Sequence, residues 1–264
     1  MSERVQKYLS RAGRGSRREA ERWIGDGRVT IDGRKAVLGD KVDSTSLVAV
    51  DGIPVVDGAG NSEVLIYNKP VGKIVTRSDP NNRPTVFDDL PINKHGRWVA
   101  VGRLDINTAG VMLFCSDGNL ANGLMHPRNE IEREYLCRVN GIVSESDLAS
   151  LRNGIQVDGH MCRFDSVKAR PGGGYNRWFT VVLRQGRYRE VRRLWQAVGG
   201  TVSRLIRVRF GPVRLPRDLD RGRTRFIDHE LQEKLYRPVS YTHLRAHETS
   251  QDLVCRLLLE KKKK

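Results

Sequence analysis

No stretch of this chain approaches the roughly 20 consecutive apolar residues that a spanning helix needs, so no membrane role is expected. The first ten residues are polar from the start and lack an apolar run followed by a small-residue cleavage site, which places the expected location in the cytoplasm. Cysteine is scarce, and Cys115, Cys137, Cys162 and Cys255 form no C-x-x-C pair, which argues against both a zinc site and a disulfide framework. Negative charge is also in short supply: 31 Asp and Glu face 47 Lys and Arg, leaving a net charge of +16. Such a surplus concentrates polyanions near the surface, so nucleic acid is the expected partner. The hydrophobic fraction, 38% of 264 residues, suffices for one large core or two small ones.

The chain opens on a helical module. Val5, Tyr8, Leu9 and Ala12 fall at i, i+3, i+4 and i+7, giving one apolar face. Ser16-Arg17-Arg18-Glu19 has the capping-box pattern, in which the Ser hydroxyl accepts the N3 amide and the Glu carboxylate accepts the cap amide. Ala20, Trp23 and Ile24 supply the buried face of this second helix, and Gly25 and Gly27 end it. Val29 and Ile31, then Val48 and Val50, alternate with polar residues up to Asp32-Gly33 and Asp51-Gly52, which are hairpin turn signals. The two helices carry Arg4, Lys7, Arg11, Arg14, Arg17, Arg18 and Arg22 against Glu3, Glu19 and Glu21, a basic face suited to RNA.

The small polar run at 57–62 reads as a linker after a first domain at 1–56. A second domain then spans 63–237. Its apolar strands are expected at Val64–Tyr67, Trp98–Val101, Val111–Cys115, Tyr135–Val139, Trp178–Leu183 and Leu205–Phe210, with helices at Asn119–Met125, Ser144–Arg152 and Arg187–Val198. That pattern predicts an α+β architecture on a mainly antiparallel sheet with flanking helices. Gly172-Gly173-Gly174 reads as a hairpin loop, and His126 in Met-His-Pro as a structural turn residue. From 238 to 264 the composition changes into what looks like translated adapter or vector sequence, which is excluded from fold reasoning. A metal site at His243, His247 and Glu248 is therefore not expected.

Gly102-Arg103-Leu104-Asp105-Ile106-Asn107-Thr108-Ala109-Gly110 lies between two apolar strands, so Asp105 sits on a loop held by rigid elements, a usual place for a catalytic group. A loop Asp alone has ordinary turn explanations. The surrounding pattern is more specific. Gly-Arg-Leu-Asp with Thr108, Gly110 and Ser116-Asp117-Gly118 resembles the RsuA/RluB family of ribosomal RNA pseudouridine synthases. So do Lys69-Pro70, Arg83-Pro84-Thr85-Val86-Phe87, Met125-His126-Pro127, Glu132-Arg133-Glu134-Tyr135 and Gly186-Arg187-Tyr188-Arg189-Glu190-Val191-Arg192-Arg193. The first segment, with Arg28-Val29-Thr30-Ile31-Asp32-Gly33-Arg34, resembles the S4 RNA-binding domain, a small α/β unit.

The resemblance implies an isomerase that breaks the bond between ribose C1′ and uracil N1, turns the base and rejoins it through C5. It implies Asp105 as the catalytic carboxylate, Arg192 as its ion-pair partner and Tyr135 as the aromatic packed on the flipped base. The reaction has no redox change and transfers no group, so no cofactor and no metal are demanded. A carboxylate can act by attacking sugar or base or by abstracting a ribose proton. Flipping costs about a few kcal/mol and calls for a grip on the displaced backbone. Thirteen arginines against Glu190, Asp218 and Asp220 between 184 and 225 supply one. Arg103, Arg187, Arg189 and Arg193 are the expected RNA contacts there, beside Arg4, Lys7, Arg11, Arg14, Arg17 and Arg18 in the first domain. Arg83–Phe87 and Arg97-Trp98 resemble the large-subunit members, so 23S rRNA is favoured over 16S as partner, and nothing demands more than a monomer. The competing classes are a purely RNA-binding protein, which has no use for a carboxylate facing a polyanion, and a helix-turn-helix DNA regulator, which leaves the strand-rich remainder unexplained.

Overall fold

A computed structural model of the chain describes residues 2–55, 62–93, 97–172 and 174–239. The linker up to residue 61, Cys255 and the segment from 240 onward, with His243, His247 and Glu248, lie outside the described residues.

The first unit runs β1 (Glu3–Arg4), α1 (Val5–Arg11), α2 (Arg17–Gly25), β2 (Val29–Ile31), β3 (Arg34–Lys35), β4 (Lys41–Val42), β5 (Val48–Val50) and β6 (Ile53–Pro54). The capping box forms as the sequence predicts: Glu19 N donates to Ser16 Oγ at 3.2 Å, and Ser16 N donates to Glu19 Oε2 at 2.6 Å. Asp32-Gly33 and Asp51-Gly52 have positive φ at both positions (51° and 84°, 51° and 77°), the geometry that lets a two-residue loop match strand twist. They join β2 to β3 and β5 to β6 in a four-stranded sheet ordered β3-β2-β5-β6. Val5, Leu9, Ala20, Ile24, Val29 and Val48 form its core.

The second unit runs β7 (Val64–Lys69), β8 (Val99–Ala100), β9 (Ala109–Cys115), α3 (Gly118–Met125), β10 (Arg133–Asn140), α4 (Glu145–Asn153), β11 (Ile155–Val157), β12 (His160–Cys162), β13 (Ser166–Ala169), β14 (Asn176–Leu183), α5 (Glu190–Ala197), β15 (Thr201–Phe210), β16 (Val213–Arg214), β17 (Thr224–Phe226) and α6 (His229–Tyr236). Its main sheet is ordered β13-β14-β10-β15-β9-β7-β17, with β16 on β15 and β8 on β9. All pairings are antiparallel except one: β15 meets β9 in parallel through Ile206 with Ala109 and Arg207 with Gly110.

Side-chain alternation decides how the sheet is covered. On one face, Tyr67, Phe114, Tyr135, Phe179 and Val181 pack under Leu148 of α4 and Trp195 of α5. On the other face, Val64, Ile66, Val111 and Leu113 pack under Leu120 of α3 and Leu235 of α6. Strands β7 and β9 are thus buried throughout, whereas β10, β14 and β15 alternate between buried and half-exposed positions. Their second face has no helix over it among the described residues.

The structure adjusts several expectations. The helix expected from Arg187 begins only at Glu190, because Arg189 adopts a left-handed conformation (φ 52°) and the Arg187 amide turns back to the Glu190 carboxylate at 3.0 Å. Strands β13 and β17 and helix α6 lack the apolar runs that mark the other elements. The fold also continues past residue 237: Val239 packs with the α3 and α6 core, close to Gly123, so the first two residues assigned to the non-native tail belong to the packed structure.

The parallel joint requires a glycine. Gly110 has φ 107°, and a Cβ there would stand 2.1 Å from the Arg207 carbonyl oxygen. Gly110→Ala is therefore expected to destabilise the protein by about 2–4 kcal/mol, combining backbone strain with overpacking, read as a lowered urea midpoint. An unchanged midpoint would show that the two halves of the sheet can separate without cost.

Candidate active site

The loop 102–108 enters β9 at the parallel joint, and its position is set by a buried cation. The Lys69 ammonium, with no solvent exposure, donates to the carbonyls of Pro70 (2.9 Å), Asp105 (3.1 Å) and Thr108 (3.0 Å). A buried charge is tolerable only when its donors are satisfied, and three carbonyls match the three N–H groups of an ammonium. Burial pushes the Lys69 pKa down to about 8, opposed by the Asp105 charge. Further backbone bonds, Thr108 N to Asp105 O at 3.0 Å and Gly72 N to Ile106 O at 2.8 Å, complete the turn.

Arg192, on α5, donates through Nη1 to the Val202 carbonyl (2.8 Å) and through Nη2 to the Asn107 carbonyl (3.0 Å). It ties helix, β15 and the aspartate loop together. The ion-pair partner of Asp105 is instead Arg189, whose Nη1 lies 3.5 Å from Asp105 Oδ2. The structure differs here from the expectation drawn from the motif: Arg192, the third residue of α5, gives both terminal nitrogens to backbone carbonyls and feels the Asp105 charge without pairing with it, while the left-handed turn at Arg189 brings that side chain to the carboxylate.

Asp105 and Tyr135 line one cleft of about 1020 Å³. Tyr135 lies on β10 beside Val181 and Arg207 and is 8% exposed, so its ring forms part of the wall. Arg103, Arg187, Arg189 and Arg192 line the same cleft, joined by Arg77, Arg133 and Arg207. Arg77 rests over the Phe87 ring at 4.2 Å, and Arg207 is buried with Nε donating to Val111 O at 2.8 Å. Of the acids at the rim, Asp79 is held at about 2 by hydrogen bonds from Arg83 and Glu190 is buried, its pKa raised by desolvation. The cleft therefore presents a carboxylate and an aromatic face inside a ring of guanidinium groups, the composition needed to hold a phosphodiester while acting on one nucleoside.

The remaining expected contacts are distributed. Arg193 pairs with Asp158 and lies over the Tyr188 ring at 5.1 Å, at the edge of the cleft. In the first unit Arg4, Arg14, Arg17 and Arg18 are exposed, whereas Lys7 and Arg11 are bound by Glu3 (3.6 and 2.5 Å). His126 accepts the Arg128 amide through Nδ1 at 3.2 Å, a turn role. Lys69, Asn107 and Arg207 were not assigned roles from the sequence. In the sequence Lys69 stands only as part of the Lys69-Pro70 motif at the end of an apolar strand, and nothing in that pattern shows that its ammonium is buried.

The chain belongs to the RNA pseudouridylate synthase family, whose model matches residues 63–197, and an S4 domain model matches residues 3–48. It is accordingly a pseudouridine synthase with an S4 domain. Ribosomal large subunit pseudouridine synthase B of Salmonella typhi is 53% identical over 227 residues, 84% of this chain and 78% of that protein. The proteins of that name from Escherichia coli (strain K12) and Pseudomonas aeruginosa are 52% and 50% identical, over 84% and 86% of this chain and 78% and 60% of their own lengths. A crystal structure of a pseudouridylate synthase superposes with a TM-score of 0.62 at 25% identity, covering 88% of this chain and 99% of that one.

Because the Lys69 pKa is lowered, the ammonium is charged below about 8 and neutral above it. The neutral amine has two N–H donors for three carbonyls, so activity is expected to fall as pH rises through about 8, and a flat kcat/KM profile from pH 7 to 9 would refute this. The two arginines should separate cleanly. Arg189→Gln is expected to lower kcat about tenfold with stability unchanged within about 0.5 kcal/mol, whereas Arg192→Gln lowers both, by about 1 kcal/mol in stability, since it removes the tie between α5, the Val202 carbonyl and the Asn107 carbonyl. Single-turnover kinetics beside urea unfolding distinguish the two.

Proposed function

We propose that this enzyme converts a specific uridine of large-subunit (23S) ribosomal RNA to pseudouridine, with Asp105 as the catalytic carboxylate. The observation that carries the reading is the placement of Asp105 on a rigidly anchored loop, paired with Arg189 and facing the Tyr135 wall of an arginine-rich cleft. The Salmonella, Escherichia and Pseudomonas relatives are named for the large ribosomal subunit, which supports that substrate.

In this reading the flipped uridine enters the cleft with its base against Tyr135 and its phosphates on the surrounding guanidinium groups. Arg189 orients the Asp105 carboxylate toward the nucleotide, and Arg192 holds the loop that carries it. Asp105 either attacks the nucleotide or removes a ribose proton, either being reversed before product leaves; the N1–C1′ bond breaks, the freed uracil turns while held and C5 bonds to C1′, and the proton lost from C5 is matched by one taken up at N1. Atoms and electrons balance within the nucleoside, and no other reactant is consumed. The exposed arginines of the first unit, Arg4, Arg14, Arg17 and Arg18, bind RNA away from the reacting base.

Pseudouridine mapping of deproteinised and partly assembled 23S and 16S rRNA, treated with the protein or with Asp105→Asn, tests this. A single new pseudouridine in 23S rRNA, absent with the variant, is expected, while the variant's affinity for RNA stays within about threefold. Modification confined to 16S rRNA would overturn the substrate. RNA binding without any new pseudouridine would overturn the catalytic reading.

A further inference from the structure

The face of β10, β14 and β15 that no helix covers among the described residues holds a second groove, of about 680 Å³. Its floor is made of Leu136 of β10, Thr180 of β14, and Ile206 and Val208 of β15, all half-exposed. Its walls carry Arg170, Arg214, Arg217 and Arg221, all exposed. The groove is separate from the catalytic cleft by strand geometry. Tyr135 and Arg207 line the cleft, while their chain neighbours Leu136, Ile206 and Val208 line the groove, and successive side chains of a strand point to opposite faces.

Most of the charge of this groove is not spent internally. The acid among its lining residues, Glu134, is already engaged by Arg209 (2.8 Å) and Arg214 (3.6 Å). Among the described residues Arg170, Arg217 and Arg221 make no ion pair. The loop that bears the last two is held in place: Asn68 Nδ2 donates to Leu219 O at 2.8 Å, Gly222 N to Asn68 O at 2.8 Å and Leu215 N to Val208 O at 2.9 Å. Exposed guanidinium groups bordering a shallow, partly apolar sheet surface suit phosphate contact combined with stacking or packing of bases. A solvated sheet face of neutral purpose has no reason to gather unpaired arginines from β14's neighbouring loop and from the 214–222 loop onto one rim.

We propose that this groove is a second RNA-binding site, which holds through its phosphates a segment of the RNA other than the one in the catalytic cleft. The inference rests on the reading of the chain as an enzyme of RNA, and its site lies on the opposite face of the strands that carry Tyr135. An RNA engaged at both sites passes around the sheet, so the groove favours long, folded RNA over a short fragment.

The test compares the full chain with its Arg170→Gln/Arg217→Gln/Arg221→Gln variant by fluorescence anisotropy on labelled single-stranded RNA and on 23S rRNA across a KCl series. Each phosphate contact contributes about 0.7 to the slope of log affinity against log salt on single strands. Loss of three contacts should lower that slope by about two, with a matching loss of affinity at low salt. An unchanged slope and affinity in a variant with the unfolding midpoint of the parent would overturn the proposal. Ultraviolet crosslinking of the unaltered chain to the same RNA gives an answer even if the variant misfolds. Crosslinks at 170, 180 or 214–221 are expected, and crosslinks confined to the catalytic cleft and to the first unit would refute the second site. These readouts do not depend on pseudouridine formation, so a failure of the catalytic reading leaves them interpretable.

Discussion

The buried ammonium of Lys69 is the interaction on which the site depends. It closes β7, lies where β9 begins, and spends all three of its donors on carbonyls, two of which belong to Asp105 and Thr108. A loop that carries a catalytic carboxylate must be both exposed to substrate and fixed in place, requirements that usually conflict because exposed loops are mobile. Lys69 resolves the conflict by holding the loop's backbone from beneath, leaving the Asp105 side chain, about a third exposed, free to face the cleft. Arg192 performs the same service from the other side through the Asn107 carbonyl. Two cations thus position the loop without touching the carboxylate, and a third, Arg189, meets it.

The sheet explains why these groups converge. Its two halves meet in one short parallel contact at Gly110 and Arg207, with the approach so close that only glycine fits. The β7–β9 half is covered on both faces and supplies rigidity; the β10–β14–β15 half is covered on one face and supplies surface. The cleft forms at the seam, where the loop entering β9 faces β10 and the turn before α5. Arginine dominates both clefts of the domain, which agrees with a substrate that is a long polyanion and not a free nucleotide.

Local features were legible in the sequence because they depend on neighbours in the chain. The capping box at Ser16, the Asp-Gly turns and the apolar strands were each predictable from short-range patterning, and they form. Strands β13 and β17 and helix α6 were not, since Ser166–Ala169, Thr224–Phe226 and His229–Tyr236 become regular only by pairing or packing with distant partners. The candidate site was half legible. Asp105 and Tyr135 stood out through motif resemblance and line the same cleft, whereas the choice among Arg189, Arg192 and Arg193 turned on a left-handed residue that no spacing rule reveals.

By itself, then, the sequence determined the basic charge, the two-part organisation, the elements with strong periodicity and the identity of the chemical group at position 105. Each follows from composition or from contacts a few residues apart. The tertiary structure alone decided which arginine meets Asp105, that Lys69 is a buried clamp and not a surface charge, and that one face of three strands, uncovered by any helix among the described residues, is ringed with guanidinium groups. Those outcomes rest on contacts between residues tens to more than a hundred positions apart, such as Lys69 with Asp105 and Asn68 with Leu219, and such distances are set by sheet order and register.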